Sequence, residues 1–503
     1  MSRHWAAIAL VLLVVSGLYA RVSGTFFCGY DDFLEIGRAA IEDTQHPSRI
    51  FTTTHFQTSK YRPLNRLLVF ATYHIGGGSP LWFRLRNLGF HLLAVAMLYG
   101  VGWQLFHSQR TAFASALLFG VSPLSNQTIV ASSWTNTAAY ALLLSALFLF
   151  LHALRAGRKA CFWLSLALVL IWADLFIYEG TVVIFVFVYT YLAIEWWSSR
   201  RQPITSRLLL FLTLGSALAG LTFFAARFLF VSAPTQMARP LAIVKSAVMY
   251  GGALLVPIDS VLAHQVFETP LPPEIPTHGR LLAVLFGLGC GMLLLAAPAL
   301  YFLQPLRSRL RQMQWPTIGY LVFCCCFSLF PFLFFTEHAS ETYLYLPAAF
   351  YALLLTALLR TMLSDSTFRV VVAFVTLLYG AGTWLRNEDV TACGTTAKRI
   401  LSGLPIDNWR QGSWHIRAAA FPGESARPRF GIYRYQGLST IDVGDPKMSA
   451  FQSALQLATL NPLIAAQVVS PTEMRSCFPA GTCFWVHQNG QVEAFDPMRE
   501  AIE

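Results

Sequence analysis

Charged side chains are scarce in this sequence of 503 residues, because only 12% of them are Asp, Glu, Lys or Arg. A soluble globular domain carries about 25% charged residues. Hydrophobic residues make up 55% of the chain, and its mean hydropathy is +0.53. This composition excludes a disordered or fibrous protein and disfavours a water-soluble globule. It is typical of a chain that lies largely within a lipid bilayer.

Cysteine motifs are missing too. The nine cysteines include no CxxC pair and no cluster with histidine at zinc-ligand spacing, so the pattern indicates neither a zinc domain nor a dithiol redox motif. The triplet Cys324-Cys325-Cys326 lies in an apolar run and is expected to pack there as small core residues. Cys477 and Cys483 flank the turn-forming spacer Phe-Pro-Ala-Gly-Thr. We predict a disulfide between them, provided that this part of the chain is exported.

Apolar runs of about 20 residues, the length that crosses a bilayer core, recur along the first 385 residues. Eleven spans are predicted, at 5–22, 88–106, 112–129, 135–154, 161–177, 180–197, 208–231, 281–304, 317–335, 343–362 and 369–385. The first is expected to stay uncleaved, because Leu18-Tyr19-Ala20 has a large residue where signal cleavage needs a small one. Residues 63–75 are too short to span and predict an interfacial helix. Residues 240–258 predict a re-entrant or surface segment.

The basic residues between the spans alternate in a way that orients the chain. They cluster in every second loop, at Arg110, at 155–159, at 200–207, at 307–311 and at 360–369. The positive-inside rule places these loops and the N-terminus in the cytoplasm. An odd number of spans then puts residues 386–503 outside. The net charge of +11 is thus loop charge and does not indicate a nucleic-acid-binding groove.

The first outer loop, residues 23–87, is the polar exception in an apolar chain. Asp31 and Asp32 are adjacent there, just beyond the first span, where two carboxylates repel each other and lose hydration. They fit a general base with a helper carboxylate, and they equally fit a helix start with Asp31 as the N-cap. The pair could also hold a divalent cation, but no further carboxylate lies at ligand spacing. A metal requirement stays open, and no other cofactor is indicated.

Lys60 and Arg62 precede Pro63, a residue that favours the first position of a helix. A helix N-terminus with two cations beside it is an anion site, or else an anchor for lipid headgroups. Arg227 lies near the outer end of the seventh span. It could snorkel to the interface or hold a phosphate.

Two further groups lie at predicted outer ends. Asp174 is near the end of the fifth span, and His338 precedes the tenth. Each could line a cavity at the membrane surface. Asp174 could instead cap its helix, and His338 could lie in a hydrated loop.

Four stretches, in this order, resemble the GT-C fold glycosyltransferases, in particular the protein O-mannosyltransferases whose membrane half precedes TPR repeats. The stretches are Tyr30-Asp31-Asp32 with Tyr61-Arg62-Pro63-Leu64, then 119–128, then Tyr178-Glu179-Gly180, then 341–347 (Glu-Thr-Tyr-Leu-Tyr-Leu-Pro). The resemblance covers about residues 25–360. It implies an inverting membrane enzyme that moves a sugar from a polyprenyl-phosphate carrier to a hydroxyl of a protein or envelope glycan. It also implies a bacterial inner membrane, with the site on the periplasmic face.

The resemblance also implies roles for single residues. Asp31 falls at the catalytic base, with Asp32 beside it, and Arg62 falls at the cation for the carrier phosphate. Glu179 and Glu341 fall on outer-loop carboxylates near the cavity. We therefore expect the reaction to be carried by the first outer loop, with the later carboxylates around it.

The sequence departs from the family at several positions. Ser122, Ser125 and Gln127 replace a His-Pro-x-His-x-Glu pattern, Thr342 replaces an arginine, and the TPR array is absent. These differences imply a changed substrate or a lost activity. Two alternatives therefore stay open: a transporter or flippase of lipid-linked saccharide, and an inactive membrane scaffold. No internal repeat of the kind common in transporters is visible.

The predicted fold is an all-α polytopic membrane domain, residues 1–385, followed by a small extracytoplasmic α/β domain, residues 386–503. Strand character at 430–435, helical spacing at 450–460 and a hairpin turn at 488–491 support the second part. Nothing in it has catalytic spacing.

Overall fold

The computed structural model describes residues 2–53, 60–199, 205–231, 240–255, 257, 314–334, 340–419, 438, 449–469, 474, 483–487 and 490–495. The α-helices of these parts are α1 Ser2–Ser23, α2 Tyr30–Arg38, α3 Arg49–Thr52, α4 Pro63–Gly76, α5 Pro80–Phe106, α6 Gln109–Gly120, α7 Asn126–Val130, α8 Asn136–Ala153, α9 Ala160–Ile177, α10 Val183–Ser199, α11 Ser206–Phe230, α12 Pro240–Leu255, α13 Trp315–Phe327, α14 Tyr345–Met362, α15 Asp365–Ser402 and α16 Ala450–Thr459.

Nine helical segments of the described chain are long and apolar enough to cross a membrane. They contain α1, α5, α8, α9, α10, α11, α13, α14 and α15. The all-helical, polytopic membrane fold expected from the sequence is therefore confirmed. The span predicted at 281–304 lies outside the described residues.

The third predicted span, 112–129, is wrong as a single helix. Helix α6 ends at Gly120, and a 3₁₀ turn at Pro123–Ser125 leads into the short α7. The reason is local, because Ser122 precedes a proline and adopts an extended conformation, with ψ 130°, that a helix does not allow. Residues 125–128 after the break (Ser-Asn-Gln-Thr) are polar yet buried, and a span placed by average hydropathy passes over them.

The first outer loop is built from short helices. Helix α2 continues into a π-helix at Ala39–Asp43, and α3 follows. Helix α4 begins at Pro63, as predicted, and ends where Gly77 adopts the left-handed conformation with φ 59°. Residues 240–255 form α12, a helix of 16 residues that is too short for a typical span.

The C-terminal region combines one long helix with a small sheet. Helix α15 has 38 residues and runs without interruption through the predicted boundary at 385/386. Four strands follow, β1 Trp414–Ala419, β2 Ile464–Val468, β3 Cys483–Val486 and β4 Val492–Ala494, in the order β2-β1-β3-β4. The β1 pairings are parallel, and β3–β4 is the antiparallel hairpin that the sequence predicts. The strand predicted at 430–435 lies outside the described residues.

Two large hydrophobic cores organise the molecule. One fills the helical bundle, and the other joins the first outer loop to the C-terminal region. In the second core, Phe33 and Ile36 of α2 belong to the same cluster as Phe451 and Leu455 of α16. Helix α2 therefore shares a hydrophobic core with α16 of the C-terminal region.

Candidate active site

The two adjacent carboxylates lie in the first turn of α2. Gly29 is the N-cap residue, with an extended conformation at φ −114° and ψ 149°. Asp31 is therefore already inside the helix, and the interpretation of Asp31 as the N-cap is wrong. Both carboxylates still lie at the positive end of the helix, which favours their charged form.

Asp31 and Asp32 are held by one short segment between α7 and α8. The indole Nε1 of Trp134 donates a hydrogen bond to Oδ2 of Asp31 at 2.8 Å. The backbone N–H of Ser133 donates to Oδ1 of Asp32, also at 2.8 Å. Asp32 is only 1% exposed, and burial raises its pKa although Ser133 opposes the shift. Asp31 is the more accessible of the two.

Arg86 of α5 fixes that segment in turn. Its guanidinium donates to the backbone oxygens of Ser132, at 2.7 Å, and Trp134, at 3.1 Å. The neighbouring Asn87 donates to the Ala131 carbonyl at 2.7 Å. Side chains of α5 thus hold residues 131–134, and this segment in turn holds the carboxylates of Asp31 and Asp32.

Arg62 forms a bidentate ion pair with Glu179. Its Nε donates to Oε2 at 2.5 Å and its Nη2 to Oε1 at 2.7 Å. The guanidinium also lies over the ring of Tyr178, 4.6 Å from the centroid. Burial lowers the pKa of Arg62, but the Glu179 carboxylate outweighs burial, and the pKa is raised overall. The cation predicted for the carrier phosphate therefore has a carboxylate partner.

Lys60 shows that these groups share one electrostatic environment. Burial lowers the pKa of Lys60 and the charge of Arg62 lowers it further, while Glu179, Asp31 and Glu35 raise it. Residues of the first outer loop and Glu179, in the 3₁₀ turn Glu179–Val182 before α10, therefore act on each other within one site. Lys60 and Arg62 supply the cationic side of this site, and Asp31 and Glu179 supply the anionic side.

Glu35 belongs to this site although the sequence did not single it out as functional. It follows Asp31 by one helical turn and therefore lies on the same face of α2. It is 4% exposed, and burial raises its pKa to about 7, with Arg38 opposing and Asp31 adding to the shift. The spacing of Asp31 and Glu35 on a helix is the signal that could have identified it.

Glu341 lies elsewhere, in a fully buried ion pair with Arg386 of α15. The two charges are 2.7 Å apart and are 3% and 2% exposed. Arg386 also donates to the carbonyl of Pro123 at 2.6 Å. The sequence reasoning missed Arg386, because two predicted spans, 343–362 and 369–385, separate it from Glu341.

The residues that depart from the family pattern have structural partners here. Oε1 of Gln127 accepts hydrogen bonds from the Ser340 hydroxyl at 3.2 Å and from the Thr342 backbone N–H at 3.1 Å. Ser122 caps the 3₁₀ turn by accepting from the N–H of Leu124, and Ser125 is completely buried. Gln127 therefore connects α7 to the segment just before α14, and Ser122 stabilises the turn between α6 and α7, both by neutral hydrogen bonds.

The remaining candidates are placed as follows. Asp174 is completely buried, one turn before the end of α9. Arg227 is half-buried in the last turn of α11, and Phe230 of that turn stacks on Tyr61 with 4.5 Å between ring centroids.

His338 and Cys477 lie outside the described residues. Cys483 is disulfide-bonded, to a partner beyond the described residues. In the described ranges, no three His, Cys, Asp or Glu side chains form a group that could hold a metal ion.

Comparison with known proteins gives structural similarities alone. No family model matches the chain, and no curated protein matches it. An oligosaccharyltransferase from Archaeoglobus fulgidus in the apo form is 14% identical, over 94% of this chain and 70% of its own, with a TM-score of 0.48. ArnT from Cupriavidus metallidurans bound to undecaprenyl phosphate is 12% identical, over 96% and 92%, with a TM-score of 0.44. At these identities and TM-scores, the similarities assign no activity to this chain.

Proposed function

We propose that this protein is a membrane glycosyltransferase of the GT-C type. It takes a sugar from a polyprenyl-phosphate carrier and transfers it to an acceptor hydroxyl on the outer face of the membrane. The observation that carries the proposal is the grouping of Asp31, Lys60 and Arg62 of the first outer loop with the distant Glu179, which forms a bidentate ion pair with Arg62. Two of the four stretches that resemble the family, Tyr30-Asp31-Asp32 with Tyr61-Arg62-Pro63-Leu64 and Tyr178-Glu179-Gly180, contribute to this grouping.

The proposed reaction needs a base and a cation for the leaving group. Asp31 accepts the proton of the acceptor hydroxyl as the oxygen attacks the anomeric carbon, and the bond to the carrier phosphate breaks. The displacement inverts the sugar. Lys60 and Arg62 stabilise the negative charge that develops on the departing phosphate. Glu179 holds the Arg62 fork in place, so an incoming phosphate meets an oriented guanidinium.

Asp32 has a supporting role in this proposal. Its buried carboxylate accepts from the Ser133 N–H, and this bond fixes the α2 N-terminus against the segment that carries Trp134. It orients its neighbour and does not take the proton. Substitution of Asp32 should therefore cost less activity than substitution of Asp31.

The test is Asp31→Asn in the full-length protein, reconstituted in vesicles with undecaprenyl-phosphate mannose as donor probe and a membrane extract as acceptor. We expect transfer to fall about 10²–10⁴-fold, since a positioned base contributes that much and Asn does not take up the proton. Asp365→Asn is the matched control, because Asp365 is exposed and pairs with Arg110 and Arg360 at the opposite end of the bundle.

Two outcomes would contradict the proposal. Wild-type transfer by folded Asp31→Asn protein would exclude this residue as the base. Movement of lipid-linked saccharide across the vesicle membrane, without any transfer to acceptor by the wild-type protein, would favour a flippase instead. Exported proteins and envelope glycans of cells with and without the protein, compared by mass spectrometry, would identify the sugar and the acceptor.

A further inference from the structure

The end of α1 and the second half of α15 lie side by side over several turns. Asn387 donates to the Leu18 carbonyl at 2.9 Å, and Arg21 pairs with Glu388. One turn further on, the hydroxyls of Thr25 and Thr391 are 3.4 Å apart. These contacts fix the register between the chain that leaves the first span and the helix that leaves the last one.

Gly394 of α15 allows this helix to approach residues 25 and 26 closely. A Cβ atom at Gly394 would be 2.5 Å from the backbone oxygen of Phe26 and 2.7 Å from the Thr25 side chain, so only glycine allows this approach. Its neighbour Cys393 is thereby placed against Cys28. The Sγ of Cys393 lies 3.7 Å from the Cys28 carbonyl oxygen, and both side chains are buried, at 6% and 2% exposure.

The two thiols are also in contact with each other. A hydrogen bond with the Cys393 thiol, together with burial, raises the pKa of the Cys28 thiol well above its ordinary value. In the structure both are free thiols, as are Cys161, Cys324, Cys325 and Cys326. Among these, Cys28 and Cys393 are the two that belong to segments beyond the predicted spans on the outer side.

We propose that Cys28 and Cys393 are a cross-linking site that is closed by a disulfide in the mature protein. The oxidant is a disulfide donor, and the reaction is thiol–disulfide exchange. A thiolate from this pair attacks the donor disulfide, the second thiolate resolves the mixed disulfide, and the donor leaves as two thiols with the two protons.

Burial of the two thiols determines when the disulfide forms relative to the packing of α15. A buried thiol with a raised pKa is a poor nucleophile, because only the thiolate attacks. The exchange therefore takes place before α15 closes over residues 25–28, while the thiols are accessible. The bond then joins the residue just before the N-cap of α2 to α15, and thereby fixes the start of the helix that carries Asp31 and Asp32.

This inference depends on the outer location of both segments, which belongs to the proposed function. Trypsin cleaves after Arg21 and Arg38 and after Arg386 and Lys398. The peptides 22–38 and 387–398 therefore each contain one cysteine of the pair and no other. The peptide 476–499 contains Cys477 and Cys483 and reports whether this side of the membrane is oxidising.

The experiment is peptide mapping of the full chain, purified from membranes after free thiols have been blocked with N-ethylmaleimide in denaturant. We expect a cross-linked species of peptides 22–38 and 387–398 that separates on reduction and is lost in Cys28→Ser and in Cys393→Ser. It should persist in Cys161→Ser, whose thiol is exposed and lies in the first turn of α9.

The possible negative results are distinguishable. Alkylated Cys28 and Cys393 together with an oxidised Cys483 would overturn the cross-link and leave the outer location intact. Alkylated Cys28, Cys393 and Cys483 would overturn both the cross-link and the orientation on which the proposed function depends. If the serine variants fail to fold, the peptide map of the wild-type protein still shows whether Cys28 and Cys393 are cross-linked.

Discussion

The indole nitrogen of Trp134 donates a hydrogen bond to Asp31, with 2.8 Å between Nε1 and Oδ2. The preceding residue, Ser133, uses its backbone N–H to hold Asp32 at the same distance. Two consecutive residues thus orient two consecutive carboxylates. If Asp31 is the base, Trp134 is a positioning residue for it.

Trp134→Phe should lower the turnover of the transfer reaction by about 10- to 100-fold, because a hydrogen bond to a charged group contributes about 1.5–3 kcal/mol. The phenyl ring keeps most of the packing, so folding should change little. Measured kinetics should show the loss in kcat and little change in KM for the carrier. Trp172→Phe is the control, since Trp172 donates to Thr222 on an exposed face of α9. An equal loss in both variants would contradict a positioning role.

Arg62→Ala should raise KM for the polyprenyl-phosphate donor, and Arg62→Lys should restore part of the affinity. Lysine keeps the positive charge but loses the bidentate fork that Glu179 orients. Donor titrations with the reconstituted protein measure KM for the two variants and for the wild type. Arg49→Ala, which removes an exposed cation of the same loop, separates this effect from general attraction to lipid headgroups. Identical donor affinity in wild type and Arg62→Ala would rule out a phosphate-binding role.

Glu341→Ala should destabilise the protein by about 3–5 kcal/mol, because it leaves the Arg386 guanidinium buried without its carboxylate. Thermal unfolding in detergent is the measurement. The double variant Glu341→Leu/Arg386→Met, which replaces the pair by apolar side chains, should recover most of the loss. Arg410→Ala, which breaks the exposed pair with Asp407, should change little. A small effect of Glu341→Ala would contradict a stabilising role of this buried ion pair.

Glu35 should make stability depend on pH. Burial raises its pKa from 4.5 to about 7, so between these values the folded protein keeps a proton that the unfolded chain releases. The free energy of unfolding therefore falls as pH rises through this window, by at most about 3 kcal/mol, and the loss is complete above pH 7. Glu35→Gln should remove this slope and stabilise the protein at pH 8. Parallel unfolding curves for wild type and variant from pH 4.5 to 8 would contradict the assignment.

A reporter that is active only outside the cytoplasm should be active when fused after Glu503. The expectation follows from the alternation of basic loops, which puts the N-terminus inside and an odd number of spans before residue 386. A matching cytoplasmic reporter at the same position should stay inactive. The opposite pattern would mean that one span has been miscounted, and residues 240–258 would be the first to re-examine.

Hydropathy and local turn chemistry predicted much of the fold. Pro63 marks the start of α4, the helix predicted at 450–460 is α16, and the hairpin around Gly490 is present. These features depend on neighbours in sequence. The break at Ser122-Pro123 was also local, but the prediction followed average hydropathy and passed over the Ser-Pro pair and the polar residues after it.

The sequence indicated several residues of the candidate site but not their arrangement. Asp31, Arg62 and Glu179 were identified from family resemblance, yet the pairing of Arg62 with Glu179 joins residues 117 positions apart. Arg386 and Trp134 carried no pattern, because a single Arg or Trp near a span end usually anchors the interface. Such long-range partners follow from tertiary packing, and no periodicity in the sequence encodes them.

The core shared by the first outer loop and the C-terminal region has a consequence for biosynthesis. Phe33, Ile36 and Val69 are made early, but Phe451, Leu455 and Phe484 of the same core are made only after all the described membrane helices. Until then, the helix that carries the carboxylates lacks the part of this core that the C-terminal region supplies. A chain that stalls before α16 would insert its helices and still present an incomplete loop, so the synthesis of α16 and β3 sets the time at which this core becomes complete.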